Sequence, residues 1–144
     1  MRHIGGMADD VLTLMAVHAH PDDESSKGAA TMAKYAAEGV RTVLVCCTGG
    51  EAGDILNPEA DTPEVQADLG AVRMRELDES VQIIGYSQLH LLGYRDSGMM
   101  GTPDNDDPSC FWRADLLEAG VMRRAIQHLW NRAAWKASLP LRSR

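Results

Sequence analysis

A chain of 144 residues is long enough for one domain with a modest core. Its net charge of −7 speaks against a nucleic-acid binder, which needs a basic face to neutralise phosphates. No apolar run approaches the ~18 residues that cross a bilayer, and the polar, glycine-containing start lacks the apolar h-region of a secretion signal.

The charge is unevenly spread. Residues 1–120 hold eight Lys/Arg and all 21 Asp/Glu, a balance of −13, whereas residues 121–144 hold six Lys/Arg and no acid. Such a flip predicts a tail with a separate role, or one foreign to the original domain. The organisation expected is a flexible extension over residues 1–10, an α/β domain over 11–118 and a divergent basic helix and tail over 119–144. Met7 is a second candidate start. Cys46, Cys47 and Cys110 show no CxxC spacing, and adjacent strand cysteines point to opposite faces. Reduced, buried thiols in a cytoplasmic protein are expected.

In chain order, Val11–Val17 is a short, nearly continuous apolar run, which predicts a strand buried on both faces, as in a parallel sheet. His20-Pro21 ends it, since proline cannot donate to the ladder. Ser25 or Ser26 can cap an alanine-rich helix running to Glu38 and stopped by Gly39. Arg41–Thr48 (RTVLVCCT) is a second strand closed by Gly49-Gly50. Residues 49–63 read as a loop with Asn57-Pro58 and Pro63. A second helix is expected from about Glu64 to Ile84, where Val65, Leu69, Val72, Leu77, Val81 and Ile84 form one apolar stripe and Gly85 is the C-cap. Gln88–Leu92 is a third strand. Residues 93–112 are a loop dense in Gly, Asp, Asn and Pro, and a last helix is expected from near Asp115 to Ala137. The strand-helix-strand-helix-strand order predicts right-handed crossovers and a parallel sheet covered by helices.

Ligands of open α/β sheets bind at the carboxyl ends of the strands. Three polar or glycine-rich segments follow the three strands: His18–Glu24, Gly49–Asp54 and Gly93–Gly98. In the first, His20 and Asp23 are three residues apart across a strand-to-helix turn, which can bring an imidazole and a carboxylate around one ion. Zinc accepts both donor types, and a catalytic site takes about three protein ligands plus an open position for water. Asp22, between them, can take a proton from metal-bound water and pass it to a leaving amine. The plainer alternative is that Asp22 and Asp23 cap the helix and His20 is a surface histidine. The location of the whole string favours metal. His18 is expected to face the core or support the site, and His90 to be structural.

The string His18-Ala19-His20-Pro21-Asp22-Asp23-Glu24 resembles the hallmark of the PIG-L/LmbE-like zinc-dependent deacetylases, and the resemblance covers Val11 to about Glu118. Within that family the segments Ser25–Thr31 and Gly53–Pro58 are similar to the mycothiol-conjugate amidases. Tyr94–Met99 is similar to the N-acetylglucosaminyl-inositol deacetylases. The resemblance implies a Rossmann-like, three-layer α/β fold with a parallel sheet, of which this chain holds the N-terminal part. It implies hydrolysis of an amide C–N bond in a small N-acylated amino sugar of glucosaminyl-inositol type, with Zn2+ as cofactor. His20 and Asp23 would be zinc ligands and Asp22 the general base. Glu51 matches an acidic position near the sugar or inositol, Arg73 and Glu76 the family's R-x-x-E, and Asp96 a substrate-contacting aspartate. From the residues alone, an intrahelical ion pair accounts equally well for Arg73 and Glu76, and turn chemistry for Glu51 and Asp96.

The family's third zinc ligand lies in a later H-P-D-H-type motif that this sequence does not contain; His128 sits beside Leu129 and Trp130 in nothing similar. A truncated or frame-shifted product, or a fragment, is therefore expected, with weak zinc binding and little turnover. The alternatives to the mycothiol-type hydrolase are a de-N-acetylase of another N-acyl sugar and a metal-poor remnant. A nucleotide-binding Rossmann domain is disfavoured, because no G-x-G-x-x-G follows the first strand.

Overall fold

The computed structural model describes residues 12–114. The expected N-terminal extension, the helix from Asp115 to Ala137 and the basic tail lie outside the described residues.

Three strands, β1 (Thr13–His18), β2 (Arg41–Thr48) and β3 (Gln88–Tyr94), form one sheet in the order β1-β2-β3, and both pairs are parallel. The register aligns Ala16 with Leu44 and Leu89, and Val17 with Val45 and His90. β2 is central because its apolar, β-branched run suits burial on both faces: Val43, Leu44 and Val45 are fully buried. β3 continues two residues past its expected end at Leu92. A register irregularity between Cys46 and Thr48 brings Tyr94 opposite Thr48.

Two longer helices cover one face of the sheet. α2 (Ala29–Ala37) joins β1 to β2, and α4 (Leu69–Ile84) joins β2 to β3, each preceded by a short helix, α1 (Asp23–Ser26) and α3 (Pro63–Ala67). Strand order equals chain order, so both crossovers step the same way and, sharing one hand, carry their helices to one side. The core lies there. Met32 of α2 and Leu77, Val81 and Ile84 of α4 close on Leu44 and Cys46 of β2. Leu77, Val81 and Ile84 keep the spacing of the predicted stripe.

The structure corrects two helix assignments. The first expected helix is split, since Gly28 adopts φ 97 between α1 and α2, a conformation only glycine takes freely. Neither Ser25 nor Ser26 caps it: Asp22 precedes α1 and Gly28 precedes α2. The second expected helix is broken at Asp68, whose backbone (φ −151, ψ 65) leaves the helical region and whose side chain accepts the Ala71 N–H at 3.1 Å to start α4 afresh. Thr62 caps α3 by accepting the Val65 N–H. Gly85 ends α4 in the left-handed conformation, as its position predicted.

Cys46 and Cys47 are free and buried. Burial pushes the Cys46 thiol up to about 12 and the Cys47 thiol up to about 11. Both therefore stay protonated at neutral pH in the folded chain.

Candidate functional site

The end of β1 is tied to the end of β2. The Thr48 N–H and hydroxyl both donate to the Ala19 carbonyl, at 3.0 and 2.9 Å. This clamp fixes where the chain leaves the sheet, and Pro21 is buried against the glycine loop that follows β2. The next residues then project over the carboxyl edge.

His20 stands between two carboxylates. Its Nδ1 is 3.8 Å from Asp23 Oδ2, and its Nε2 is 3.4 Å from Asp96 Oδ1. The ring is 42% exposed, whereas the side chains of Asp23 and Asp96 are 13% and 5% exposed. Asp23 is further held by the His20 backbone N–H on Oδ2, at 3.3 Å, and by the Lys27 ammonium on Oδ1. Burial opposes its charge, but the Lys27 hydrogen bond and the His20 N–H together outweigh that, and its carboxyl lies below the ordinary value of 3.8. The same contact raises the Lys27 ammonium.

Asp22 takes φ 92, ψ −27. This conformation costs a residue with a side chain about 1–2 kcal/mol, less for Asp than for most. It turns the Asp22 carboxylate away from Asp23 and towards Arg73 of α4, whose Nη1 donates to Asp22 Oδ2 at 3.3 Å. Arg73 thus pairs across the site, not with Glu76 along its own helix. The glycine loop after β2 makes room for it: a Cβ on Gly53 would stand 2.7 Å from Arg73 Nη2.

Asp96 arrives from the loop after β3. Its N–H donates to Glu51 Oε1 at 2.9 Å, and its Oδ1 accepts the Gly98 N–H at 3.0 Å. Glu51 therefore joins the loops after β2 and β3. Beyond it the chain folds back, with Arg95 bridging to Cys110 and the Phe111 N–H donating to the Arg95 carbonyl. His20, Asp22, Arg73 and Asp96 line one cavity of about 190 Å³ with Asp54 and Met99. A larger cavity of about 360 Å³ adjoins it, sharing Asp22, Asp54 and Arg73, with Val65, Leu69, Val72 and Leu77 on its apolar side.

His20, Asp22, Asp23, Glu51, Arg73 and Asp96 thus lie together at the carboxyl edge, whereas Glu76 lines the larger cavity. Glu24, which had no assigned role, is 1% exposed and accepts hydrogen bonds from the Asp22 N–H, the Ser25 hydroxyl and the Ser80 hydroxyl. Its place in the string was all that the sequence assigned to it; one of its donors, Ser80, lies fifty-six positions away. His18 is half-buried, and its Nε2 is buried without a hydrogen-bond partner among the described residues. His90 is buried in β3. Among the described residues, no group of three His, Cys, Asp or Glu is arranged to hold a metal ion, and no helix is long and apolar enough to cross a membrane.

A parallel α/β domain with a histidine and four acids, Asp22, Asp23, Glu51 and Asp96, gathered beyond its strands defines a class of α/β proteins with a polar site at the carboxyl edge. The family model for PIG-L, GlcNAc-PI de-N-acetylase, matches residues 15–135, and the chain belongs to that family. A 1D-myo-inositol 2-acetamido-2-deoxy-alpha-D-glucopyranoside deacetylase of Geodermatophilus obscurus is 49% identical over 112 residues, 74% of this chain and 38% of its own length. A mycothiol S-conjugate amidase of Streptomyces coelicolor is 54% identical over 125 residues, 82% of this chain and 41% of its own length. The chain spans about two fifths of the length of these relatives. Among solved structures, the N,N'-diacetylchitobiose deacetylase of Pyrococcus horikoshii superposes with a TM-score of 0.51 at 28% identity, over 61% of this chain and 31% of that one.

Proposed function

We propose that this chain carries the metal-binding and base-bearing half of a zinc-dependent amide hydrolase, an N-deacetylase or amidase acting on a glucosaminyl-inositol compound of the mycothiol pathway. The observation that carries the reading is the His20–Asp23 pair beside Asp22 at the carboxyl edge, in a chain about half identical to proteins named for those two reactions.

The donors fit zinc as part of a shell. Bonds of about 2.0–2.1 Å to a tetrahedral ion set donor atoms roughly 3.4 Å apart, close to the 3.8 Å between His20 Nδ1 and Asp23 Oδ2. His20 and Asp23 are the residues that would hold the ion. Asp96, on the far ring nitrogen, would fix the imidazole's orientation, as carboxylates behind metal-bound histidines do. Zinc at such a site polarises an amide carbonyl and makes water nucleophilic near neutral pH.

The rest belongs to the chain's own residues. Asp22 takes a proton from the attacking water on its carboxylate and returns it to the departing nitrogen, so that the amine leaves neutral. Arg73 holds that carboxylate in place. Glu51 and Asp96 offer carboxylate acceptors to sugar or inositol hydroxyls. The small N-acylated amino sugar would bind in the cavity that Asp22, Arg73 and Asp96 line.

The test fuses residues 1–114 to the remaining length of the Streptomyces coelicolor amidase and measures amine release from an N-acetylglucosaminyl-inositol and from a mycothiol conjugate. Hydrolysis of either, reduced roughly 10²–10⁴-fold by Asp22→Asn, is expected. Turnover indifferent to Asp22→Asn overturns the assignment of the base. A folded, zinc-loaded fusion inactive on both substrates overturns the substrate class.

A further inference from the structure

Glu24 is a buried polar side chain that the proposed reaction does not use. At 1% exposure it makes no ion pair among the described residues, and its carboxyl group instead receives three neutral donors. Oε2 accepts the Asp22 N–H at 2.9 Å, and Oε1 accepts the Ser25 and Ser80 hydroxyls at 2.8 and 2.6 Å. Burying such a group is costly unless it is hydrogen-bonded, and an apolar side chain would pack there without that demand.

What the bonds hold is Asp22. It is the only non-glycine among the described residues with positive φ. Left to itself its peptide would relax towards the helical or extended region and swing the carboxylate off Arg73. Two residues of α4 act on it from opposite ends. Arg73 takes the carboxylate directly, and Ser80, two turns on along the same face, takes Glu24, which takes the Asp22 N–H. We propose that Glu24 is a positioning residue that locks Asp22 in its left-handed conformation, and that Ser80 anchors Glu24 to α4. Its catalytic meaning rests on Asp22 acting as the base. The lock itself is read without metal or substrate, so failure of the hydrolase reading and failure of the lock are separate results.

The experiment is amide hydrogen exchange by NMR on the whole chain, comparing the unaltered protein with Glu24→Ala, Glu24→Gln and Ser80→Ala. In Glu24→Ala the Asp22 amide is expected to exchange roughly tenfold faster or more, while the Leu44 amide in β2 keeps its protection. Glu24→Gln should restore slow exchange, because its side-chain oxygen accepts the same N–H. A general loosening of the fold would move Leu44 as well and would not be rescued in this way. Asp22 exchange unchanged in Glu24→Ala, or equally fast in Glu24→Gln, overturns the proposal. Should Glu24→Ala fail to fold, Ser80→Ala decides: faster Asp22 exchange with Leu44 unchanged supports the lock, and unchanged exchange overturns it.

Discussion

Asp23 meets two opposed demands, since burial disfavours its charge while Lys27 and the His20 N–H favour it, and the second effect wins. A carboxyl held below its unfolded value adds stability that is fully present above 3.8 and is lost as pH falls through the lowered folded value. Lys27→Met should therefore destabilise the chain near neutral pH and make no difference once Asp23 is protonated in both proteins. Parallel urea titrations at several pH values test this; a deficit that persists unchanged in strong acid counts against it. The buried cysteines offer a second check. With thiols raised to about 12 and 11, Cys46 and Cys47 should resist iodoacetamide at pH 8 in the native protein and react once urea unfolds it. Rapid native labelling of either would show that the sheet opens there.

At the scale of elements, α4 does most of the positioning. Its apolar face packs on β2, and Arg73 and Ser80 reach across to the turn after β1. Leu77 is 1% exposed at the centre of that contact. Leu77→Ala should cost about 2–5 kcal/mol in a denaturant titration, and a loss within error of zero would mean that the helix does not seat on β2. Asp68 has no core role, yet Asp68→Ala should cost about 0.5–2 kcal/mol by removing the cap that starts α4. The helical stripe was legible from Val65 to Ile84 because spacing alone reveals it. The break at Asp68 was not, since Asp is tolerated within a helix and its capping bond to Ala71 exists only once the chain has turned. Gly28 was similarly hidden inside an alanine-rich stretch whose composition favours one continuous helix.

At the scale of the molecule, three parallel strands in chain order bring three loops to one edge, so residues from positions 20 to 96 share a cavity. On the proposed reading His20 and Asp23 would supply two of the roughly three protein donors a catalytic zinc takes, and this chain by itself should hold zinc weakly. His20→Ala should abolish the uptake that remains after dialysis, because Asp23 would be left as the single assigned donor. Zinc measured by atomic absorption in the dialysed variant at the level of the unaltered chain would show that the ion sits elsewhere.

The sequence by itself determined the strands, the parallel class of the sheet and the segments that would carry the site. Each of these depends on apolar runs and turn residues that are local in the chain. It also placed His20, Asp22 and Asp23 together, since they are neighbours along one turn. Only the tertiary structure decided the partners of Arg73, Glu51 and Asp96. Arg73 reaches Asp22 instead of Glu76, and Glu51 holds the Asp96 amide. Glu24 is the sharpest case: it is buried and accepts a hydrogen bond from Ser80 on another helix, a contact between residues fifty-six positions apart. Periodicity reports which face a residue occupies, but it carries no information on which distant side chain will meet it there.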